Sequence, residues 1–166
     1  KNIIALKVPW AELHIFSQYL SAKNFSKNVK INNLKLKLHN HKNDGIHVKK
    51  PLIEEEFIKS LNNYRVHLNP DISSDFFSSS ILESQAAGIP VVSRINANIH
   101  DSIYNNETGY ITNDRDEFAS KVINLLNDNT LFFRISNNAK MNNRIKKWEE
   151  IIENFERALN ENIVYR

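Results

Sequence analysis

The 166-residue chain reads as an α/β fold, a parallel sheet flanked by helices and followed by a helical C-terminal tail. Three observations predict it. Short β-like apolar runs alternate with longer runs of helical spacing, the pattern of strands joined by crossover helices. Residues 115–162 carry helical spacing throughout. The apolar fraction of 41% is enough for a real core.

Each element has its own signal. Residues 2–8 (NIIALKV) read as a strand, and Pro9 suits the first turn of a helix because its missing N–H would be unpaired there anyway. Trp10, Leu13, Phe16, Ser17 and Leu20 then follow helical spacing. Residues 22–33 are polar and linker-like. Residues 34–39 (LKLKLH) alternate strictly, the signature of a half-exposed strand. Residues 40–45 form a turn and 46–49 a second short strand. Pro51 leads into a helix over 53–62, spaced by Ile53, Phe57, Ile58 and Leu61. Residues 64–68 (YRVHL) make a strand ended by Asn69-Pro70, and 71–77 a loop. A helix over 80–87 closes on Gly88, which readily takes the left-handed conformation after a helix. Residues 90–95 (PVVSRI) are a buried-type strand, 100–104 a short helical turn, and 109–112 (GYIT) a strand. Helices follow over 117–126, around 131–138, and from about 145 to 159. Ligands of such sheets bind beyond the carboxyl ends of the strands.

Composition excludes several functions. With only Gly45, Gly88 and Gly109, neither GxxxxGK[ST] nor GxGxxG can be written. The absence of cysteine rules out a disulfide framework, a thiolate metal site and a cysteine nucleophile. No apolar run approaches the ~18–20 residues of a membrane span. A net charge of +3 is weakly basic, compatible with phosphate-bearing partners and with peripheral contact to an anionic membrane surface. Basic residues are scattered rather than clustered with aromatics, so no nucleic-acid partner is expected. A chain opening on Lys1 rather than Met reads as a piece of a longer one. The lack of a signal pattern and of cysteine fits a cytoplasmic setting.

The most informative stretch is 69–112, where seven residues separate Asp75 from Glu83. On a single helix the two would sit roughly 12 Å apart and about 80° around the axis, too far to grip one small group. With Asp75 on the loop and Glu83 in the first turn of the helix, both can face one cleft. Ser78-Ser79-Ser80 lie between them, and N–H groups at a helix start make a natural diphosphate site. Carboxylates accept hydrogen bonds from vicinal hydroxyls such as those of ribose or hexose. Glu83 also follows Ser80 by three, which is a capping-box spacing that stabilises a helix start without any ligand.

These residues resemble the donor-binding, C-terminal half of retaining, group 1 (family 4-like) glycosyltransferases of the two-domain GT-B kind. That family carries an acid, seven residues, Glu, then Ala-rich residues and Gly-x-Pro-Val-Val, and later an ETG-type turn. This chain has Asp75, Glu83, Ser84-Gln85-Ala86-Ala87-Gly88-Ile89-Pro90-Val91-Val92-Ser93 and Glu107-Thr108-Gly109. The close match covers about 40 residues, and the order of elements extends it more loosely along the chain.

The resemblance implies a single Rossmann-like nucleotide-sugar-binding domain over 1–166, working with an N-terminal acceptor domain. The reaction it implies is metal-independent, retaining transfer of a hexose from a nucleoside diphosphate sugar. No cofactor beyond that donor substrate is called for. Asp75 would bond the sugar hydroxyls and Glu83 the ribose hydroxyls. The amides of Phe77, Ser78, Ser79 and Ser80 would contact the diphosphate, with Lys7 and Arg94 as its cations. Lys50 and Leu52, with Lys49 beside them, fall where the nucleobase packs, and His67 falls on a strand near the cleft. Three features depart from the family: Asp75 replaces the usual Glu, Ser78 a Gly, and Asn96-Ala97-Asn98 a glycine pair. Alternatives from the same residues are a non-catalytic glycosyltransferase-like scaffold and a sugar-nucleotide epimerase. This stretch alone is expected to bind a donor without turning it over. His39 and His41 would share a strand face, but no third ligand is evident from spacing, so no metal site is expected.

Overall fold

The computed structural model describes residues 2–24, 26–41, 44–70, 79–95, 99–142 and 148–163. Its order is α1 (Asn2–Lys7), β1 (Leu13–Phe16), α2 (Gln18–Ser21), α3 (Val29–Asn40), β2 (Ile46–Lys49), α4 (Glu54–Leu61), β3 (His67–Asn69), α5 (Ser79–Ala86), β4 (Val91–Ser93), α6 (Ile99–Ser102), β5 (Gly109–Ile111), α7 (Arg115–Asn127), α8 (Asn129–Met141) and α9 (Trp148–Ile163). The described strands form two ladders, β1-β2 and β3-β4-β5, and every pairing is parallel. The expected α/β class with helix-covered parallel strands is what the chain adopts. The expected loop over 71–77 lies outside the described residues.

The three-stranded sheet is covered on both faces. Val91 and Ile111 turn to one side and pack with Ile81, Ile99 and Ile103 of the α5 and α6 region. Their strand neighbours Val92 and Tyr110 turn to the other side and pack with Val122 and Leu125 of α7 and Ile135 of α8. Period-two alternation therefore assigns one face to each helix layer. Complete burial of side chains such as Leu125 and Ile135 contributes about 1.5–3 kcal/mol apiece. Asp114 and Asp128 cap α7 and α8 by accepting from the amides of Glu117 and Leu131.

The first forty residues depart from the sequence reading. Residues 2–7 are helical rather than a strand. Val8 donates to the Ile4 carbonyl at 2.7 Å, and α1 packs on α7 with Ile4 against the core. Pro9 therefore ends a helix instead of starting one, as a residue lacking the N–H needed to continue. The expected helix over 9–20 contains β1, which pairs in parallel with β2, and only Gln18–Ser21 is helical, capped by Ser17. The last part of the linker over 22–33, from Val29, and the strand over 34–39 are replaced by α3. Asn28 caps α3 by accepting from Lys30, and Ser26 and Asn32 exchange two bonds of 2.8 Å. Leu and Lys are strong helix formers, and none of residues 34–39 is β-branched, so local propensity outweighs the alternation. β3 lies slightly later than expected, over His67–Asn69.

No described helix is long and apolar enough to cross a membrane. In α9, Trp148, Ile151, Ile152, Phe155 and Leu159 are all exposed, so this stripe is an uncovered face and not core packing.

Two glycines are fixed for different reasons. A Cβ on Gly109 would meet the Val91 backbone oxygen at 2.4 Å, across the β4–β5 pairing. A Cβ on Gly88 would meet the flexible end of Lys140 at 2.2 Å, and Gly88 holds a φ of +77°. Gly109→Ala is therefore expected to cost about 3 kcal/mol and Gly88→Ala about 1–2 kcal/mol. In thermal denaturation Gly109→Ala should lower Tm by roughly twice as much as Gly88→Ala, and equal losses would contradict the backbone clash.

Candidate functional site

The carboxyl ends of β3, β4 and β5 are tied into one polar shelf. Asn69, the last residue of β3, donates its side-chain amide to the buried Ser93 Oγ at 2.9 Å and accepts the Arg94 N–H at its carbonyl at 3.0 Å. Ser93 Oγ donates in turn to the Arg94 carbonyl. Asn113 accepts from the Ile95 amide at 3.0 Å, and Thr112 donates to Glu117. These bonds fix the backbone from which the half-buried Arg94 side chain leaves the sheet.

Helix α5 sits on β3 and β4, and its N-terminus follows the connection leaving the carboxyl end of β3. Two buried polar contacts fix its placement. Gln85 donates its side-chain amide to Thr108 Oγ1 at 2.9 Å, and Thr108 Oγ1 accepts the Tyr104 N–H at 3.0 Å. The Glu107-Thr108-Gly109 turn is thereby latched to the helix that carries Glu83. His67 Nδ1 pairs with Ser84 Oγ at 2.8 Å, fastening β3 to the same helix. Burial lowers the His67 pKa below its usual value, opposed by a hydrogen bond to the Ser80 backbone.

Among the site residues named from sequence, Ser79 and Ser80 open α5 after the connection from β3, Glu83 follows on the same helix, and Arg94 follows β4. Ser79 is exposed and Ser80 half-buried in the first turn of α5. Glu83 is half-buried one turn further in, rather than in the first turn. Because α5 begins at Ser79, Ser80 lies within the helix and is not the cap that a capping box requires. Asp75, Phe77 and Ser78 lie outside the described residues, as do Asn96, Ala97 and Asn98. Lys50 and Leu52 are exposed just beyond the carboxyl end of β2, on the other ladder.

Lys7 is corrected. It lies exposed on α1, a helix packed against α7, and so does not follow a strand's carboxyl end as its assigned role presumed. His39 and His41 do not share a strand face either. His39 is in the last turn of α3, and His41 follows it and pairs with Asp44 at 2.6 Å. Among the described residues, no His/Asp/Glu cluster of metal-binding geometry lies at the β3–β5 edge.

Sequence reasoning missed the shelf residues Asn69, Ser93 and Asn113 and the Gln85–Thr108 latch. The available signal was the polar residues clustered at strand ends, in Asn69-Pro70, Ser93-Arg94 and Thr112-Asn113. The edge combines the start of a helix, one turn before a half-buried carboxylate, with a half-buried arginine at the end of the neighbouring strand. Chemically it can hold a dianion beside a hydroxyl-bearing group.

A sequence model of the family described as glycosyl transferases group 1 matches residues 14–128, more than half of the chain. The chain belongs to that family. No curated protein matches it. Among solved structures, sucrose-phosphate synthase from Thermosynechococcus elongatus is similar at 15% identity and a TM-score of 0.77, over 99% of this chain and 42% of that one. The pneumococcal O-GlcNAc transferase GtfA, in complex with UDP and GlcNAc, is similar at 17% identity and a TM-score of 0.69, over 98% and 31%. A mutant of S. aureus TarM, in complex with fondaparinux, alpha-GlcNAc-glycerol and UDP, is similar at 20% identity and a TM-score of 0.68, over 93% and 30%. This chain thus spans between 30% and 42% of the length of these structures. The shared feature is the fold.

The His67 brace predicts a pH dependence of stability. A histidine held neutral by burial has a folded pKa below its unfolded value of about 6.5, so the unfolded state binds more protons in that window. Its contribution is fully present above about pH 6.5 and is lost as pH falls toward the lowered folded value. Tm should hold from pH 8 to 7 and decline toward pH 5, and His67→Gln should flatten the decline. An unchanged slope in that variant would contradict the brace.

Proposed function

We propose that this member of the group 1 glycosyl transferases is the donor-binding half of a hexosyl transferase, and that its donor is a nucleoside diphosphate sugar held at the β3–β5 edge. One observation supports the reading: the first turn of α5, a helix fastened by Gln85–Thr108 and His67–Ser84, follows the carboxyl end of β3, and Arg94 directly follows the carboxyl end of the neighbouring β4. Its support from relatives is that two structures of the same fold contain UDP.

In this reading the diphosphate lies at the N-terminus of α5, where the N–H groups of a helix start and the positive end of the helix dipole favour it. Arg94 offsets the charge that grows on the leaving diphosphate. Glu83 accepts from the ribose hydroxyls and Asp75 from the sugar hydroxyls. The bond between the anomeric carbon and the diphosphate oxygen breaks, and a bond to the acceptor oxygen forms on the same face. The acceptor hydroxyl's proton leaves with the nucleoside diphosphate or passes to solvent. Cationic side chains and helix amides carry the leaving-group charge, so the reading calls for no metal. It also calls for an acceptor-binding domain beside this one.

The departures at Asp75, Ser78 and Asn96-Ala97-Asn98 favour a second reading, a glycosyltransferase-like scaffold that transfers no sugar. Calorimetry with UDP-, GDP- and ADP-sugars separates the two. One nucleotide class should bind, and Glu83→Gln and Arg94→Gln should each weaken it by about tenfold or more, the usual worth of a hydrogen bond to a charged group. If no donor binds, the transferase reading fails. If one binds but the protein with its acceptor domain transfers no sugar, and Asp75→Asn and Glu83→Gln leave donor affinity unchanged, the scaffold reading stands.

A further inference from the structure

The β1–β2 ladder carries a cluster that the transfer reaction does not use. His14 and His47 occupy the same level of adjacent parallel strands, so their side chains leave one face of the ladder together. Glu12, two residues before His14, reaches the same point. Its Oε2 lies 3.1 Å from His14 Nε2 and 3.8 Å from His47 Nε2, and the three candidate donor atoms lie within 4.8 Å of one another. In a tetrahedral zinc site with ligands at about 2.0–2.1 Å, neighbouring donor atoms stand about 3.3 Å apart, a value the two measured separations bracket.

Two further features point to an ion rather than to bare histidine–carboxylate pairs. His14 Nδ1 is 2.8 Å from Tyr64 Oη, which leaves Nε2 aimed at Glu12 and supplies the outer partner that metal-bound imidazoles use. The rings are also fixed by packing: His14 stands edge-to-face on both His47 and Tyr64 at 5.3 Å. The cluster is open on one side, with the Glu12 side chain 61% exposed, His47 37% and His14 17%. Two neutral imidazoles and one carboxylate with an open fourth place are a ligand set suited to Zn2+.

We propose that Glu12, His14 and His47 bind one Zn2+ ion, with water at the fourth position, and that this ion staples β1 to β2 and to the segment carrying Tyr64. Glu12, His14 and His47 sit in the first half of each strand or before it, whereas the donor edge lies beyond strand carboxyl ends. The ion is therefore structural and takes no part in transfer. The proposal is independent of the donor assignment.

The test uses the chain without a histidine tag, titrated with Zn2+ by calorimetry and with Co2+ by visible absorption. One equivalent of each should bind, and Co2+ should show the intense d–d bands of a four-coordinate site. Zn2+ at a hundredfold excess over Kd should raise Tm by about 5–10 °C. His47→Ala and Glu12→Gln should each weaken binding by at least about tenfold, and Tyr64→Phe by about tenfold, while His100→Ala should leave it unchanged. Failure to bind an equivalent, weak bands of a six-coordinate ion, or binding untouched by the double variant His14→Ala/His47→Ala would each overturn the assignment. The Co2+ spectrum of the unsubstituted chain is decisive even if a variant folds poorly.

Discussion

The buried hydrogen bond from Gln85 to Thr108 is the joint on which the candidate site depends. It joins the helix that carries Glu83 to the turn that enters β5, and both groups are almost fully buried. Loss of either partner would leave a polar group without water, at a cost of about 1–3 kcal/mol. Gly109 must lack a side chain for that turn to close on Val91, and His67–Ser84 fixes the same helix from β3. These contacts hold α5, and with it Ser79, Ser80 and Glu83, against β3 and the turn entering β5. The Glu107-Thr108-Gly109 turn is latched to α5 by this bond.

The chain was legible where burial was heavy. From Ser79 onward the apolar spacing matches the helices and strands, because Ile81, Val91, Val92, Leu125 and Ile135 are all buried and periodicity records burial. In residues 2–70 the fully buried apolar side chains among those described are Val8, Ile46 and Leu61. There the pattern had little to record, and capping decided instead. Asn28 and the Ser26–Asn32 pair started a helix where LKLKLH suggested a strand. Pro9 has two opposite helical meanings, and only the packing of Ile4 on the core chose between them.

The candidate site was legible in part, for the same physical reason. Glu83 was marked by the Gly-Ile-Pro-Val-Val run behind it. The latch was not, since Gln85 and Thr108 are 23 residues apart and a pairing at that distance leaves no spacing signal. His14 and His47 likewise meet only through the register of two parallel strands. The fold thus makes two polar centres. One, at the carboxyl edge of β3–β5, is suited to a dianion. The other, at the start of the β1–β2 ladder, is suited to a cation.

The central claim, that the donor binds at the edge of β3–β5 governed by α5, is tested most directly by amide hydrogen exchange with and without a UDP-sugar. The account predicts added protection at the first turn of α5 and around Arg94 and Ile95, with none in β1 or β2. Protection confined to other elements, at a donor concentration that saturates binding, would contradict it.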